Sequence, residues 1–256
     1  MSLFGHPILF LPKFNHLFPL HMKWSEFFTS SVGKKLVMSL SGLFLISFLV
    51  VHVGLNACIF NDLPIFDPTD DGRMFNKAAH FMGSTIVIRI MEIALFIFFL
   101  IHIIQGYVLE VQNRSKRKVG YAVSMGTKGT TWYRKSMGLL GTLLLFFLII
   151  HIAQFWVSSR VTQDLDPVQY GDMEAHNLFK RMVEVFQNPW VVVLYVVACI
   201  SLGWHLLHGF QSAFRTLGLS NHRYIAMLET FGAGFSVLVP LLFASMPISM
   251  YFGWVG

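Results

Sequence analysis

The chain has 256 residues, 55% of them hydrophobic and only 12% charged, with 26 phenylalanines and a mean hydropathy of +0.61. That balance excludes an ordinary soluble domain and reads as an integral membrane protein. The formal charge of +6 then marks membrane topology and implies no nucleic-acid partner, because Lys and Arg gather on the cytoplasmic side of bilayer proteins. Cys58 and Cys199 are the only cysteines. Both lie in apolar stretches, and with no CxxC or CxxCH present, covalent haem, zinc–thiolate and disulfide frameworks have no support.

Residues 1–35 read as an amphipathic N-terminal arm on the membrane surface or against a partner, with His6, Lys13, His16, His21 and Lys23 scattered among aromatics. They lack the apolar run and small-residue cleavage site of a signal peptide. Residues 36–256 form the transmembrane domain. Five apolar stretches, roughly 36–60, 85–109, 136–157, 190–214 and 226–252, can each cross about 30 Å of hydrocarbon at 1.5 Å per residue. They lack the alternation of barrel strands, so the expected fold is an all-α bundle of five transmembrane helices. Ser84 is expected to cap the second helix, Asn188 and Pro189 to start the fourth, and Gly218 to turn the chain into the fifth, which Pro240 and Pro247 bend. Lys34, Lys35, Arg114, Arg117, Arg134, Lys135 and Arg215 share one side, which the positive-inside rule makes cytoplasmic, together with the N-terminus.

Each of the first four helices carries a deep histidine: His52, His102, His151, and either His205 or His208. The fifth carries none. His52 and His151 lie about 16 and 15 residues from the cytoplasmic ends of their helices, His102 and His208 about 7 and 6. The imidazoles therefore sort into two layers separated by roughly 13 Å. Two imidazoles from different helices in one layer are what a six-coordinate haem b requires, and too few ligands for a bare metal.

Two haems b are thus expected, an outer one between His52 and His151 and an inner one involving His102. Gly42 and Gly141 each precede their helix's histidine by ten residues, about 15 Å further inward, where they would make room for the inner macrocycle. Lys34, Lys35, Arg134, Lys135 and Arg215 are candidate partners for its propionates. Arg89 and Glu92 could serve the outer haem or pair with each other.

At this point the residues resemble a known family. SLSGLFL followed by His52, FFLIHIIQGY around His102, the ten-residue spacing of Gly141 and His151, and HGFQSAFRTLG from His208 are similar to the diheme cytochrome b membrane subunit of succinate:quinone oxidoreductases and fumarate reductases, in its five-helix single-chain form. The stretch SSVGKKLVMSLSGLFL looks like members from the Bacteroidetes. The resemblance implies a bacterial inner-membrane anchor that binds a flavoprotein subunit and an iron–sulfur subunit on the cytoplasmic face and passes electrons through two haems to a quinone, menaquinone above all. It also implies pairing of the first helix with the third and the second with the fourth. Between the fourth helix's histidines it favours His208 as the ligand, since Phe214 and Arg215 follow at the family's spacing.

Where a menaquinol-oxidising member carries a glutamate after its first helix, this chain has Met74. Asp70, Asp71, Arg73, Lys77 and His80 are the nearby candidates for a quinone site, which needs a titratable group within reach. A diheme anchor of a hydrogenase or formate dehydrogenase would share the buried histidines, but the first- and fourth-helix motifs point away from it. A proton-coupled transporter would show internal repeats, and none is clear.

Overall fold

The computed structural model of the protein describes residues 24–116, 136–219 and 221–256. In chain order these form α1 (Trp24–Thr29), α2 (Ser31–Asn56) with a 3-10 extension (Ala57–Asp62), α3 (Arg73–Ser84), α4 (Ile86–Lys116) and α5 (Met137–His151) with a π-helical extension (Ile152–Thr162). The strands β1 (Pro167–Tyr170) and β2 (Met173–His176) follow, then α6 (Leu178–Phe186), α7 (Pro189–Thr216) and α8 (His222–Tyr251). Five spans are long and apolar enough to cross a membrane: Ser31–Asp62, Ile86–Ser115, Met137–Thr162, Pro189–Thr216 and Tyr224–Tyr251. Most of the arm expected over residues 1–35 lies outside the described residues.

The helix ends follow local chemistry. Ser30 Oγ accepts from Gly33 N–H at 3.0 Å and caps α2, so that helix starts five residues before its apolar run and takes in the end of the expected arm. Asn188 caps α7 by accepting from Trp190 N–H at 3.0 Å, with Pro189 in the first turn. Gly218, at φ +77°, makes the turn toward α8. Ser84 behaves differently from expectation. It closes α3, its hydroxyl donating to Phe81 O at 3.4 Å, and α4 begins two residues later. Residues 73–84 are a separate amphipathic helix, and a capping residue type alone does not say whether a helix is ending or beginning.

Packing makes α7 the centre of the bundle, in contact with α2, α5 and α8, while α4 packs on α2 and α5. Small residues allow the approach, as is usual where lipid removes the hydrophobic drive between helices. A side chain at Gly203 would put its Cβ 3.1 Å from Ser236 O of α8, and one at Gly232 would lie 2.5 Å from Phe210 of α7. The end of the bundle bearing Lys34, Lys35 and Arg215 is called the basic end below. The opposite end is covered by α3, the hairpin, α6 and the C-terminus.

This cap adds elements that the apolar pattern does not mark, since α3, β1, β2 and α6 all lie between the spans. β1 and β2 pair antiparallel from Pro167 opposite His176 to Tyr170 opposite Met173, around Gly171 at φ +62°. Asn76 of α3, fully buried, ties the cap together: its amide donates to Tyr170 Oη at 2.9 Å and Asn177 Oδ1 at 3.0 Å, and its carbonyl accepts from Phe179 N–H at 3.0 Å. The C-terminal Gly256 N–H donates to Asp62 at 2.9 Å. Gly72 starts α3 at φ +68°, and a Cβ there would sit 2.1 Å from Phe179 Cγ. Gly72→Ala is therefore expected to cost about 2–3 kcal/mol of backbone strain and clash, read as a lower Tm in detergent and faster protease cleavage between residues 61 and 72. Wild-type behaviour in both assays would contradict it.

Candidate functional site

The deep imidazoles come together as two pairs. His52 of α2 and His151 at the end of α5 face each other with ring centroids 5.9 Å apart and planes at 87°. Nearer the basic end, His102 of α4 faces His205 of α7 at 6.2 Å and 64°. His208 lies one turn beyond His205 and lines a cavity of about 370 Å³ with Lys35 and Arg215. The ring that packs against His102 is thus His205, whereas the family resemblance favours His208 as the ligand.

Neighbouring polar groups orient three of the rings. His151 Nδ1 lies 3.3 Å from Tyr195 Oη, which itself donates to Gln154 Oε1 at 2.6 Å. With its own proton committed, the phenol accepts the Nδ1 proton and leaves His151 Nε2 with a free lone pair. Ser41 does the same for His102: its hydroxyl donates to Met38 O at 3.1 Å and lies 3.2 Å from His102 Nδ1. His52 Nδ1 lies 3.4 Å from Asn56 Nδ2, and Phe48 stacks on the His52 ring at 5.1 Å. His205 Nδ1 is buried without a hydrogen-bond partner. Of these orienting residues only Ser41 falls within a sequence motif. Tyr195 and Gln154 could have been noticed as polar residues inside apolar spans, but nothing in the sequence said which ring they meet.

The glycines back the second pair directly. A Cβ on Gly42 would lie 3.4 Å from His102 Cε1, and one on Gly141 would lie 3.9 Å from His205 Cε1. A metal held by two ring nitrogens at about 2 Å each separates their ring centroids by roughly 6 Å, which matches both pairs. Among the described residues no three His, Cys, Asp or Glu side chains converge, so each pair offers two nitrogens, and a metal held there would take its further ligands from a bound group. A tetrapyrrole supplies four in a plane, and the donor set fits it.

No protein-family model, curated protein or solved structure matches this chain.

The remaining predicted residues fall in three places. Most of the quinone-site candidates are engaged in the cap. Buried Asp70 accepts from Met74 N–H at 3.0 Å at the start of α3. Asp71, at φ 47°, donates its N–H to Asp62 at 2.9 Å. Arg73 pairs with Asp67 at 3.3 Å and Asp70 at 3.6 Å, and Lys77 lies over the Tyr170 ring at 5.9 Å. His80 is half-buried on α3. The Thr69 hydroxyl and N–H, with Arg73 adding to them, hold the Asp67 carboxyl below the usual range.

Glu92 and Arg89 do not pair with each other. Glu92 takes Trp156 Nε1–H and lies 3.7 Å from Arg160, both on the π-helical segment after His151, while Arg89 donates to Gly83 O at 3.1 Å. The apolar pattern of that segment predicted a regular helix; the π geometry shifts the later side chains around the axis, a change common beside functional sites. At the basic end Arg215, besides lining the cavity, pairs with Glu229 of α8. Arg134 and Lys135 lie outside the described residues.

Proposed function

We propose that this chain is the membrane anchor and electron-transfer subunit of a succinate:menaquinone oxidoreductase, holding two haems b between a partner iron–sulfur subunit and a quinone. The observation that carries this reading is the pair of imidazole pairs, each built from two different spans at a spacing of about 6 Å. The sequence resemblance supplies the choice of enzyme and the flavoprotein and iron–sulfur partners. The geometry favours His52 with His151 and His102 with His205 as axial ligands, with His208 one turn away in the basic cavity.

A haem at each pair would supply a one-electron centre, so that two stacked centres connect the two membrane faces. The chain's own residues do the rest. Tyr195 and Ser41 fix the tautomers of His151 and His102, which keeps one nitrogen of each available and orients the ring. Phe48, Phe147 and Phe243 surround the His52–His151 pair within about 5.5 Å, excluding water and lowering the local dielectric. The succinate chemistry belongs to the flavoprotein partner.

The test is a reduced-minus-oxidised spectrum of the purified protein with haem quantification. Two b haems per chain are expected. A colourless protein rejects the reading, and co-purification with a nickel or molybdenum subunit in place of a flavoprotein overturns the choice of enzyme.

A further inference from the structure

Among the described residues two buried side-chain atoms have no hydrogen-bond partner, His205 Nδ1 and Gln105 Nε2. The second is not explained by the imidazole pair itself. A buried amide N–H in a bilayer-spanning core has no water to turn to, so an unpaired one points to a missing acceptor. Gln105 lies three residues after His102, on the same face of α4 and one turn, about 4.5 Å, toward the basic end. His208 has the same offset from His205 on α7 and lines the cavity with Lys35 and Arg215.

The opposite side of the His102–His205 pair is different in kind. There Phe44 stacks on Phe98 at 4.3 Å and Phe48 meets Phe99 edge-on at 6.4 Å. The surroundings of this pair are therefore polarised, apolar toward the cap and hydrogen-bond-donating or cationic toward the basic end. A planar group with one carboxylated edge would be held in one orientation only, its carboxylates toward the basic end.

We infer that Gln105 Nε2 is a hydrogen-bond donor to a carboxylate of the tetrapyrrole held between His102 and His205. The inference rests on the haem reading above and adds a binding residue that the sequence motifs did not mark. The amide offsets part of the negative charge of a carboxylate near the iron and so favours the reduced state. Removing the donor favours the oxidised state, and replacing it with a second carboxylate does so more strongly.

The experiment is a potentiometric titration, followed spectroscopically, of the purified full chain and of Gln105→Met and Gln105→Glu. Gln105→Met keeps volume and chain length while removing the donor; Gln105→Glu keeps shape and adds charge. At a fixed potential Gln105→Met is expected to shift the oxidised-to-reduced ratio of one haem roughly three- to tenfold toward oxidised, tenfold being about 59 mV for one electron. Gln105→Glu is expected to shift the same haem further in the same direction. That haem is the one lost in His205→Ala, and the other keeps its potential. Unmoved potentials in both variants, or equal shifts of both haems, overturn the inference and leave the haem reading intact. A wild-type chain without b haem removes both.

Discussion

His205→Ala is expected to remove one of two b haems from the purified protein and leave the second in place, while His208→Ala leaves both. The reason lies in which ring faces His102. His205 is 6.2 Å from it by ring centroid, has Gly141 behind it, and carries a buried nitrogen with no protein partner. His208 lines the basic cavity together with Lys35 and Arg215. Under the haem reading, losing one axial nitrogen would take away half of the protein's hold on the iron between His102 and His205, so the expected loss is close to one haem per chain. His208→Ala is expected to change the potential of the haem that His205→Ala removes. The reverse outcome, one haem lost in His208→Ala and both kept in His205→Ala, would restore the pairing implied by the sequence motif.

Asn76→Ala is expected to destabilise the cap by about 2–4 kcal/mol. The side chain is fully buried and makes three hydrogen bonds to β1, the α6 cap residue and the α6 backbone. Truncation leaves the buried Phe179 N–H without an acceptor, at about 1–3 kcal/mol, removes one donor from Tyr170 Oη and one from Asn177 Oδ1, which keeps Lys180 N–H, and opens a cavity in the cap. The damage is expected to reach the nearer imidazole pair. Phe186 of α6 packs on Tyr195 at 5.0 Å and Phe155 at 6.0 Å, Arg181 of α6 donates to Gln154 O at 3.3 Å, and Tyr195 and Gln154 orient His151. The variant should therefore unfold at lower temperature in detergent and perturb the spectrum of the haem at His52 and His151 more than that of the other. A Tm within about one degree of wild type would sink the claim that Asn76 holds the cap. Equal perturbation of both haems would sink the link from cap to site.

The two variants probe features that differ in how far the sequence reveals them. The His52–His151 and His102 placements rest on depth along single helices, which is a matter of counting residues at a fixed rise. The Asn76 network joins residues about a hundred positions apart, and no local pattern marks it: the hydrogen bonds exist because three short, individually unstable segments meet over the end of the bundle. Asp70 and Arg73 show the converse. The sequence offers this charge-rich loop as a quinone site, and no local pattern shows that Asp70 also starts α3 and that Arg73 also pairs with Asp67 and Asp70. The Glu92–Arg160–Trp156 cluster was half legible, since Glu92 stood out as a carboxylate inside an apolar span, but its partners depend on the π turn that follows His151.

By itself the sequence determined the five apolar spans, because only a helix satisfies the backbone inside lipid and length alone then sets how many can cross. It also determined which helices carry imidazoles and at roughly what depth. Only the tertiary structure decided which imidazole of α7 packs against His102. His205 and His208 are three residues apart, about 60° around the helix and one turn along it, so depth and face barely separate them. The packing of α7 against its neighbours turns His205 toward His102 and leaves His208 beside the basic cavity.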